Sequence, residues 1–289
     1  MDLGQRRRFF AEEIEAIANL RTAALVEALA SVRREQFLRP GPWLVRGEQD
    51  FGGVGPRRTP DADPRHVYHN CSIAIDAERQ LYNGAPGLVA AAIDALSLIP
   101  GTRVIHIGAG LGYYSALMAH IVGATGHVLA IEVDRGLAAD ATANLSSTPW
   151  IDVLHGDGTT IPAGLVDAIF VNAGVTHPQE AWLDALAPGG RLIAPLTATI
   201  PAMGDTIGKG VLALFTRTAG EDFDARVLGI VAIYSAVALR DDDSNALLGR
   251  ALMRAPFPRF TRLRRDRHDP GPGCWLHMPR LCLSQAIGG

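Results

Sequence analysis

A glycine-rich turn between an apolar run and a helical pattern constrains the fold of this 289-residue chain more than any other feature. Residues 104–113 read VIHIGAGLGY, so a strand pattern enters alternating glycines and a helix pattern follows. Glycine allows a sharp backbone turn and lets a ligand approach without a Cβ in the way. The first N–H groups of the helix lack intrahelical partners and lie at the positive end of the helix dipole, which favours a negative ligand group. The turn therefore predicts a nucleotide-type site at the start of this helix.

The spacing of the glycines separates two classes of nucleotide site. Dinucleotide sites favour G-x-G-x-x-G, in which the third glycine allows close packing of helix and strand. Here the glycines are Gly108, Gly110 and Gly112, and Tyr113 occupies the third dinucleotide position, where its ring would obstruct that packing. G-x-G-x-G is the spacing usual in methyltransferases, so the turn predicts S-adenosylmethionine as the cofactor. An NAD-dependent oxidoreductase is the alternative that Tyr113 disfavours.

Two acidic residues follow the next two strand patterns. Glu132 lies about 20 residues after Gly110, the distance expected of an acid that hydrogen-bonds ribose hydroxyls. Asp157, between Gly156 and Gly158, is placed to address the adenine edge. Ligands of such sheets bind outside the carboxyl ends of the strands, where these features lie. The residues expected to contact the cofactor are His106, Gly108, Ala109, Gly110, Gly112, Tyr113, Glu132, Val133, Asp157, Gly158 and Asn172.

Strand and helix patterns alternate through the middle of the chain and predict an α/β fold. This alternation is typical of a Rossmann-like, doubly wound, mostly parallel sheet, here of about seven strands. Two consecutive strand patterns, 211–217 and 226–236, predict an antiparallel hairpin at one sheet edge, with a turn at 219–222. Strands are expected at 103–107, 127–132, 151–154, 166–172 and 191–195, and helices near 112–122, 135–145 and 178–186.

The chain divides into three regions in this interpretation. Residues 1–100 hold helical patterns at 9–37 and 85–98, and an irregular loop at 40–66 that is either disordered or a lid over the cofactor and substrate site. Residues 101–240 form the cofactor-binding core. Residues 241–289 form a C-terminal extension packed on the core, with a helix near 243–253 and a last strand pattern around 274–283.

Three motifs together resemble the protein-L-isoaspartate O-methyltransferase family. They are GAGLGY at 108–113, GDG at 156–158 and LAPGGRLIAP at 186–195. The segment VEALASVRREQF at 26–37 is similar to the family's N-terminal helix, and 223–238 to its closing strand, so the resemblance covers about residues 25–240. It implies an S-adenosylmethionine-dependent O-methyltransferase, whose acceptor is a peptide, a protein or a small molecule.

The segment that shapes the acceptor site in this family departs from its pattern. The family carries a Gln-Thr-Ile-Ser-like segment, whereas residues 79–86 read RQLYNGAP and lack the Thr and the Ser. The main hypothesis is therefore methyl transfer to a carboxylate or another nucleophile on a peptide or small metabolite. Genuine isoaspartyl repair is one alternative, and a non-catalytic module that binds S-adenosylmethionine is another.

Four residues are candidates for acceptor chemistry. A carboxylate acceptor is ionised at neutral pH and needs no base, whereas a hydroxyl or an amine needs help in losing its proton. His177 and Asn172 follow the fourth strand of the core, and Tyr82 and Asn83 replace the missing Thr and Ser region. His177 is the candidate base, and the other three are expected to orient the acceptor or line its pocket.

Composition and the remaining motifs limit the possible partners. The net charge of −3 gives no reason to expect nucleic acid, and the arginines at 254–267 are expected to form a solvated surface loop. Cys71, Cys274 and Cys282 form no CxxC pair, and no metal is expected, although Cys274 and Cys282 would pair if the fold joined them. Trp275 and His277 are expected to pack in the last strand with Cys282.

The sequence also predicts a cytoplasmic protein without membrane contact. The basic residues at 6–8 are followed by Glu12, Glu13 and Glu15 in place of the apolar segment of a signal peptide. Apolar runs stay short of the roughly 18 residues that a transmembrane helix needs.

Overall fold

The computed structural model describes residues 2–47, 55–162, 164–199, 206–218 and 222–285. The helices are α1 (Leu3–Ala18), α2 (Ala23–Ser31), α3 (Pro86–Ala95), α4 (Tyr113–Val122), α5 (Arg135–Leu145), α6 (Glu180–Ala185) and α7 (Asp242–Arg254). The strands are β1 (Leu44–Gly47), β2 (Arg57–Arg58), β3 (Cys71–Asp76), β4 (Leu81–Tyr82), β5 (Arg103–Ile107), β6 (His127–Glu132), β7 (Ile151–His155), β8 (Val166–Val171), β9 (Leu186–Ala198), β10 (Ile207–Arg217), β11 (Phe223–Tyr234), β12 (Arg262–Arg264), β13 (Cys274–His277) and β14 (Cys282–Ser284).

These elements form two units that interleave along the chain. The first unit contains Met1–Arg103 and Ala109–His155, and the second contains Val104–Gly108 and Gly156–Gly289. The three regions suggested by the sequence, with boundaries at residues 100 and 240, stay a prediction. Within the part of the chain that the structure describes, each helix is too short or too polar to cross a membrane.

The first unit combines a helical layer with two groups of strands. The apolar faces of α1 and α2 bury Phe10, Ile14 and Leu29 completely. Strands β6 and β7 pair in parallel, and α4 and α5 pack on them. A four-stranded antiparallel sheet in the order β2-β1-β3-β4 completes the unit.

This antiparallel sheet corrects the expected irregular loop at 40–66. β1 pairs with both β2 and β3, so the described parts of 40–66 hold ordered strands. Ile73 and Ile75 alternate into the core from β3, which is the burial pattern of a strand with one covered face. Residues 48–54 lie outside the described residues, and the covering role of this segment stays a prediction.

The second unit is built on a mixed sheet in the order β13-β14-β12-β11-β10-β9-β8-β5. Strands β5, β8 and β9 are parallel, and β9, β10 and β11 form an antiparallel meander. Helices α6 and α7 both pack on β9. Phe170, Leu192 and Phe215 are buried in its core.

The predicted α/β class is confirmed, but two details of the predicted sheet are wrong. The expected count of about seven strands is not confirmed, since the second unit alone contributes eight described strands to this sheet. Most pairings in the second unit are antiparallel, whereas a mostly parallel sheet was expected. The β10–β11 hairpin forms as expected, yet it is not an edge, because β12 pairs with β11 through Phe223 and Leu263. The three short C-terminal strands extend the sheet and bury Leu263, Cys282 and Leu283. Residues 219–221 of the expected turn lie outside the described residues.

The arginine-rich segment at 254–267 is more structured than the expected solvated loop. Three of its arginines donate hydrogen bonds: Arg254 to the Trp275 carbonyl, Arg264 to Asp266, and Arg265 to Asp184. Phe260 is buried and packs on Trp275 with ring centroids 5.3 Å apart, whereas Phe257 is exposed. These contacts tie much of the segment to the sheet.

Candidate functional site

The glycine-rich turn has the backbone geometry that the sequence predicts. Gly108, Gly110 and Gly112 have φ angles of 79°, 57° and 95°, in the left-handed region that side chains disfavour. In the second unit, a Cβ on Gly108 would lie 3.2 Å from the Asn172 carbonyl oxygen. In the first unit, a Cβ on Gly112 would lie 2.8 Å from a Leu145 methyl. A larger residue at either position would be strained and would fill space beside the backbone of the turn.

Glu132 supports this turn from the end of β6. Its carboxylate is 6% exposed and accepts hydrogen bonds from Gly110 N at 2.7 Å and from Asp134 N at 3.0 Å. Burial raises the pKa of Glu132, and the hydrogen bonds from Asp134 and Gly110 oppose that rise. Each carboxylate oxygen accepts more than one hydrogen bond, so these contacts leave capacity for a ligand hydroxyl. The acid expected to bind ribose therefore also fixes the glycine turn.

Asp134 and Arg79 add a contact that the sequence interpretation missed. Asp134 caps α5 by accepting hydrogen bonds from Gly136 N and Leu137 N at 2.9 and 3.0 Å. Arg79 donates to its other oxygen at 2.5 Å. An Asp directly before a helical pattern is an N-cap signal, so the cap could have been found from the sequence. The ion pair could not, because the partners lie far apart in the chain.

The Gly156-Asp157-Gly158 segment forms a bend in the second unit. Asp157 accepts hydrogen bonds from Thr159 N at 2.9 Å and Thr159 Oγ1 at 2.6 Å, and the Thr159 hydroxyl lowers its pKa. Gly158 has a φ of 76°, and a Cβ there would lie 2.6 Å from a methyl of Ile107. The fully buried Trp182 donates from Nε1 to the Gly158 carbonyl at 2.8 Å. Trp182 thus positions this bend, and no sequence signal pointed to it.

Two of the residues expected to contact the cofactor have buried side chains. His106 is 0% exposed and stacks on Phe170 with ring centroids 5.2 Å apart, and burial lowers its pKa to about 3. Tyr113 is 3% exposed and packs against Phe37 and Tyr114. Their contact with the cofactor stays a prediction, and the burial of both side chains favours a contact through the backbone.

Asn172 and His177 belong to the second unit, at the carboxyl side of β8. Asn172 is half-buried, and its backbone N–H donates to the Ile107 carbonyl at 2.8 Å. His177 Nδ1 lies 2.9 Å from Thr176 Oγ1. Burial lowers the pKa of His177, so its imidazole is neutral near pH 7. A cavity of about 370 Å³ is lined by His177 together with Thr159, Pro178, Gln179, Glu180 and Arg280.

Tyr82 and Asn83 have structural contacts in the first unit. Asn83 Oδ1 accepts a hydrogen bond from Ile73 N at 2.9 Å, and Asn83 N donates to Ile73 O at 3.0 Å. The Arg46 guanidinium lies over the Tyr82 ring, 4.6 Å from its centroid. The Asn83 amide oxygen therefore helps to hold β3 in place. The expected role of Tyr82 and Asn83 toward an acceptor stays a prediction.

Comparison with known proteins gives a consistent family signal. The family model described as protein-L-isoaspartate(D-aspartate) O-methyltransferase matches residues 58–208. A protein-L-isoaspartate O-methyltransferase 1 from Rhodopseudomonas palustris is 33% identical, with 89% of each chain covered. A protein-L-isoaspartate O-methyltransferase from a Bradyrhizobium species is 31% identical over 74% of this chain and 86% of the relative.

Solved structures agree on the fold. One protein-L-isoaspartate O-methyltransferase superposes with a TM-score of 0.61 at 23% identity, covering 86% of this chain and 71% of the other. A Plasmodium falciparum protein described by the same activity, solved with S-adenosyl-L-homocysteine, gives a TM-score of 0.59 at 18% identity and covers 80% of this chain and 97% of the other.

Proposed function

Because the chain belongs to the protein-L-isoaspartate(D-aspartate) O-methyltransferase family, we propose that it methylates the free carboxylate of isoaspartyl residues in peptides or proteins. It is an S-adenosylmethionine-dependent O-methyltransferase. The observation that carries the proposed acceptor is the family match over residues 58–208, which includes both the glycine turn and residues 79–86. This match favours the isoaspartyl alternative over the broader acceptor that the departures from the family pattern suggested.

The residues of the turn fit the cofactor. The left-handed glycines leave no Cβ in the way of a ligand, and the N-terminus of α4 favours the cofactor's carboxylate. We assign the ribose hydroxyls to Glu132 and the adenine edge to Asp157 and Gly158. Gly108, Ala109, Gly110, Gly112, Val133 and Asn172 are assigned backbone contacts.

The reaction places few demands on the protein beyond position. The cofactor supplies a methyl group on a sulfonium; the acceptor oxygen forms a bond to that carbon as the carbon–sulfur bond breaks. A carboxylate with an ordinary pKa of about 4 is already ionised at neutral pH. The protein residues therefore have to hold the acceptor in line and exclude water, which is worth several kcal/mol.

A second candidate, methyl transfer to another acceptor, is favoured by one observation. The segment 79–86 lacks the Thr and the Ser of the family pattern, and the Asn83 amide oxygen already accepts a hydrogen bond from Ile73 N. An acceptor with a hydroxyl or an amine would need a base, and the neutral imidazole of His177 is the candidate.

The acceptor is tested with a peptide that contains isoaspartate and its isomer with ordinary aspartate. We expect labelled methyl to enter the isoaspartyl peptide, because its carboxylate is the family's substrate, and to be released as methanol at alkaline pH, as esters are. The aspartyl peptide should stay unlabelled. An enzyme that binds S-adenosylmethionine and labels neither peptide would rule out the isoaspartyl proposal and support the second candidate.

His177→Ala separates the two candidates by their need for a base. For a carboxylate acceptor we expect kcat to fall less than about 10-fold, with an unchanged pH profile between pH 6 and 8, because no proton has to be removed. For a hydroxyl or amine acceptor, loss of the base should cost about 10²- to 10⁴-fold. The measurement is kcat against pH for both enzymes, and a loss of that size with the isoaspartyl peptide would contradict a role limited to packing.

A further inference from the structure

We propose that the C-terminal extension holds a structural zinc ion, bound by His268, Cys274, His277 and Cys282. One possible ligand atom from each of these residues lies within 4.8 Å of all the others. All four belong to the second unit, and three of them are half-buried while Cys282 is buried. The proposal concerns a part of the chain outside the cofactor segments and does not depend on the proposed acceptor.

The C-terminal hairpin brings these residues together. Cys274 and His277 lie at the two ends of β13, Cys282 begins β14, and His277 pairs directly with Cys282 across the hairpin. His268 comes from the loop that precedes β13. The resulting order, H-x₅-C-x₂-H-x₄-C, alternates the two ligand types, so the CxxC and HxxxH spacings that usually reveal zinc are absent.

The distances approach those of a tetrahedral site. With Zn–S bonds of about 2.3 Å and Zn–N bonds of about 2.0 Å, tetrahedral ligand atoms lie about 3.3–3.8 Å apart. The Cys274 Sγ to His268 Nε2 distance is 3.6 Å, within that range. The rings of His268 and His277 are perpendicular, with centroids 4.8 Å apart. The outermost ligand atoms would have to move inward by about 1 Å, a shift within reach of side-chain rotation.

Neighbouring groups already orient the ligands. His268 Nδ1 lies 3.1 Å from the Asp266 carbonyl oxygen, and donation from this nitrogen leaves Nε2 free to face the cluster. Arg264 holds the Asp266 carboxylate. Gly271 N donates to Cys274 Sγ at 3.4 Å, a bond that favours the thiolate. For His268, the Asp266 carbonyl on the ring nitrogen that faces away from the cluster is an arrangement typical of a metal-bound histidine.

His277 carries an unsatisfied group. Its Nδ1 is buried and lacks a hydrogen-bond partner among the described residues. Buried polar atoms without partners are rare because each costs free energy. A bond from a metal ion to this nitrogen would remove the cost, so the atom is an independent indication of a ligand that completes the cluster.

The ligand set indicates both the metal and its role. Two thiolates and two imidazoles in tetrahedral geometry suit zinc. Four protein ligands leave no open position for substrate, which is the pattern of a structural site. Such an ion would join the loop before β13 to both strands of the terminal hairpin. Zinc binding and folding of this segment should therefore be coupled.

The site is tested on the full-length protein, produced in zinc-supplemented medium and dialysed without chelator. We expect elemental analysis to find one zinc per chain. After removal of zinc, added Co²⁺ should give the visible absorption of a tetrahedral site and the near-ultraviolet bands of cobalt–thiolate bonds. Chelator should lower the melting temperature of the zinc-loaded protein, and zinc should restore it.

Cys274→Ser should lose the zinc and the cobalt–thiolate bands, and Cys71→Ser is the matched control that should keep both. Cys71 is a free thiol outside the cluster. If Cys274→Ser does not fold, His268→Gln, in the preceding loop, serves as the second variant. Zinc-free protein whose cobalt spectrum lacks thiolate bands would overturn the proposal. So would a Cys274–Cys282 disulfide found by mass spectrometry in freshly purified protein.

Discussion

Replacing Glu132 with alanine is expected to weaken S-adenosylmethionine binding at least about 100-fold. The buried carboxylate accepts a hydrogen bond from Gly110 N at 2.7 Å, so its loss loosens the glycine turn. It is also the residue assigned to the ribose hydroxyls, and hydrogen bonds to a charged group are worth about 1.5–3 kcal/mol each. Losing two such contacts exceeds the roughly 2.7 kcal/mol that corresponds to 100-fold in Kd. Isothermal titration calorimetry with the cofactor measures the effect.

The matched control for this variant is Asp152→Ala. Asp152 lies on the neighbouring strand β7 with a side chain that is 74% exposed, so removing its charge should leave Kd nearly unchanged. Glu132→Gln keeps one acceptor oxygen, so its Kd for the cofactor should lie between those of Glu132→Ala and Asp152→Ala. Burial raises the pKa of Glu132, so its carboxylate takes up a proton at a higher pH than an exposed glutamate does. As the pH is lowered, cofactor binding by the wild-type protein should therefore begin to weaken earlier than it would with an exposed glutamate. A Kd for Glu132→Ala within a few-fold of wild type would remove the proposed ribose contact.

The elements that the sequence predicts best are those with purely local signals. β5 and β6 occupy the predicted residues because each is an apolar run that ends at glycine or charge. By contrast, β3 and β12 were not predicted, and β13 and β14 were predicted as one strand. These strands are short and are fixed by pairing with distant partners. Pairing of this kind has no signature within the strand itself.

The same distinction applies to the candidate site. The turn glycines were predictable, because backbone geometry demands glycine whatever surrounds it. The direction of a side chain was not: His106 and Tyr113 occupy motif positions, yet both point into the core. The contact from Trp182 to the Gly158 carbonyl and the cluster around Cys274 depend on chain segments that meet only after folding.

Arg34→Met is expected to lower the free energy of unfolding by about 3–5 kcal/mol, because a buried acceptor left without its donor costs about 1–3 kcal/mol and three carbonyls lose theirs. Arg34 is 0% exposed and donates to the carbonyls of Val67, His69 and Cys71 at 2.6, 3.1 and 2.8 Å. Its guanidinium also lies 5.8 Å from the Phe10 ring centroid. Methionine retains the apolar volume but cannot donate, so three carbonyls lose their partner.

Arg33→Met is the matched control, because Arg33 is the adjacent residue and is exposed. In thermal melts followed by circular dichroism, Arg34→Met should melt about 10 °C lower than wild type, and Arg33→Met within a few degrees of it.

A buried ion pair is often replaced by apolar residues without loss of stability, because both charged partners are removed together. Here the partners are main-chain carbonyls that no substitution removes, so the penalty persists. Arg34→Lys keeps the positive charge but lacks the planar guanidinium with its several N–H donors, so its stability should lie between those of Arg34→Met and wild type. If Arg34→Met and wild type had equal melting temperatures, water would be replacing the guanidinium as the hydrogen-bond donor to these carbonyls, and the prediction would be wrong.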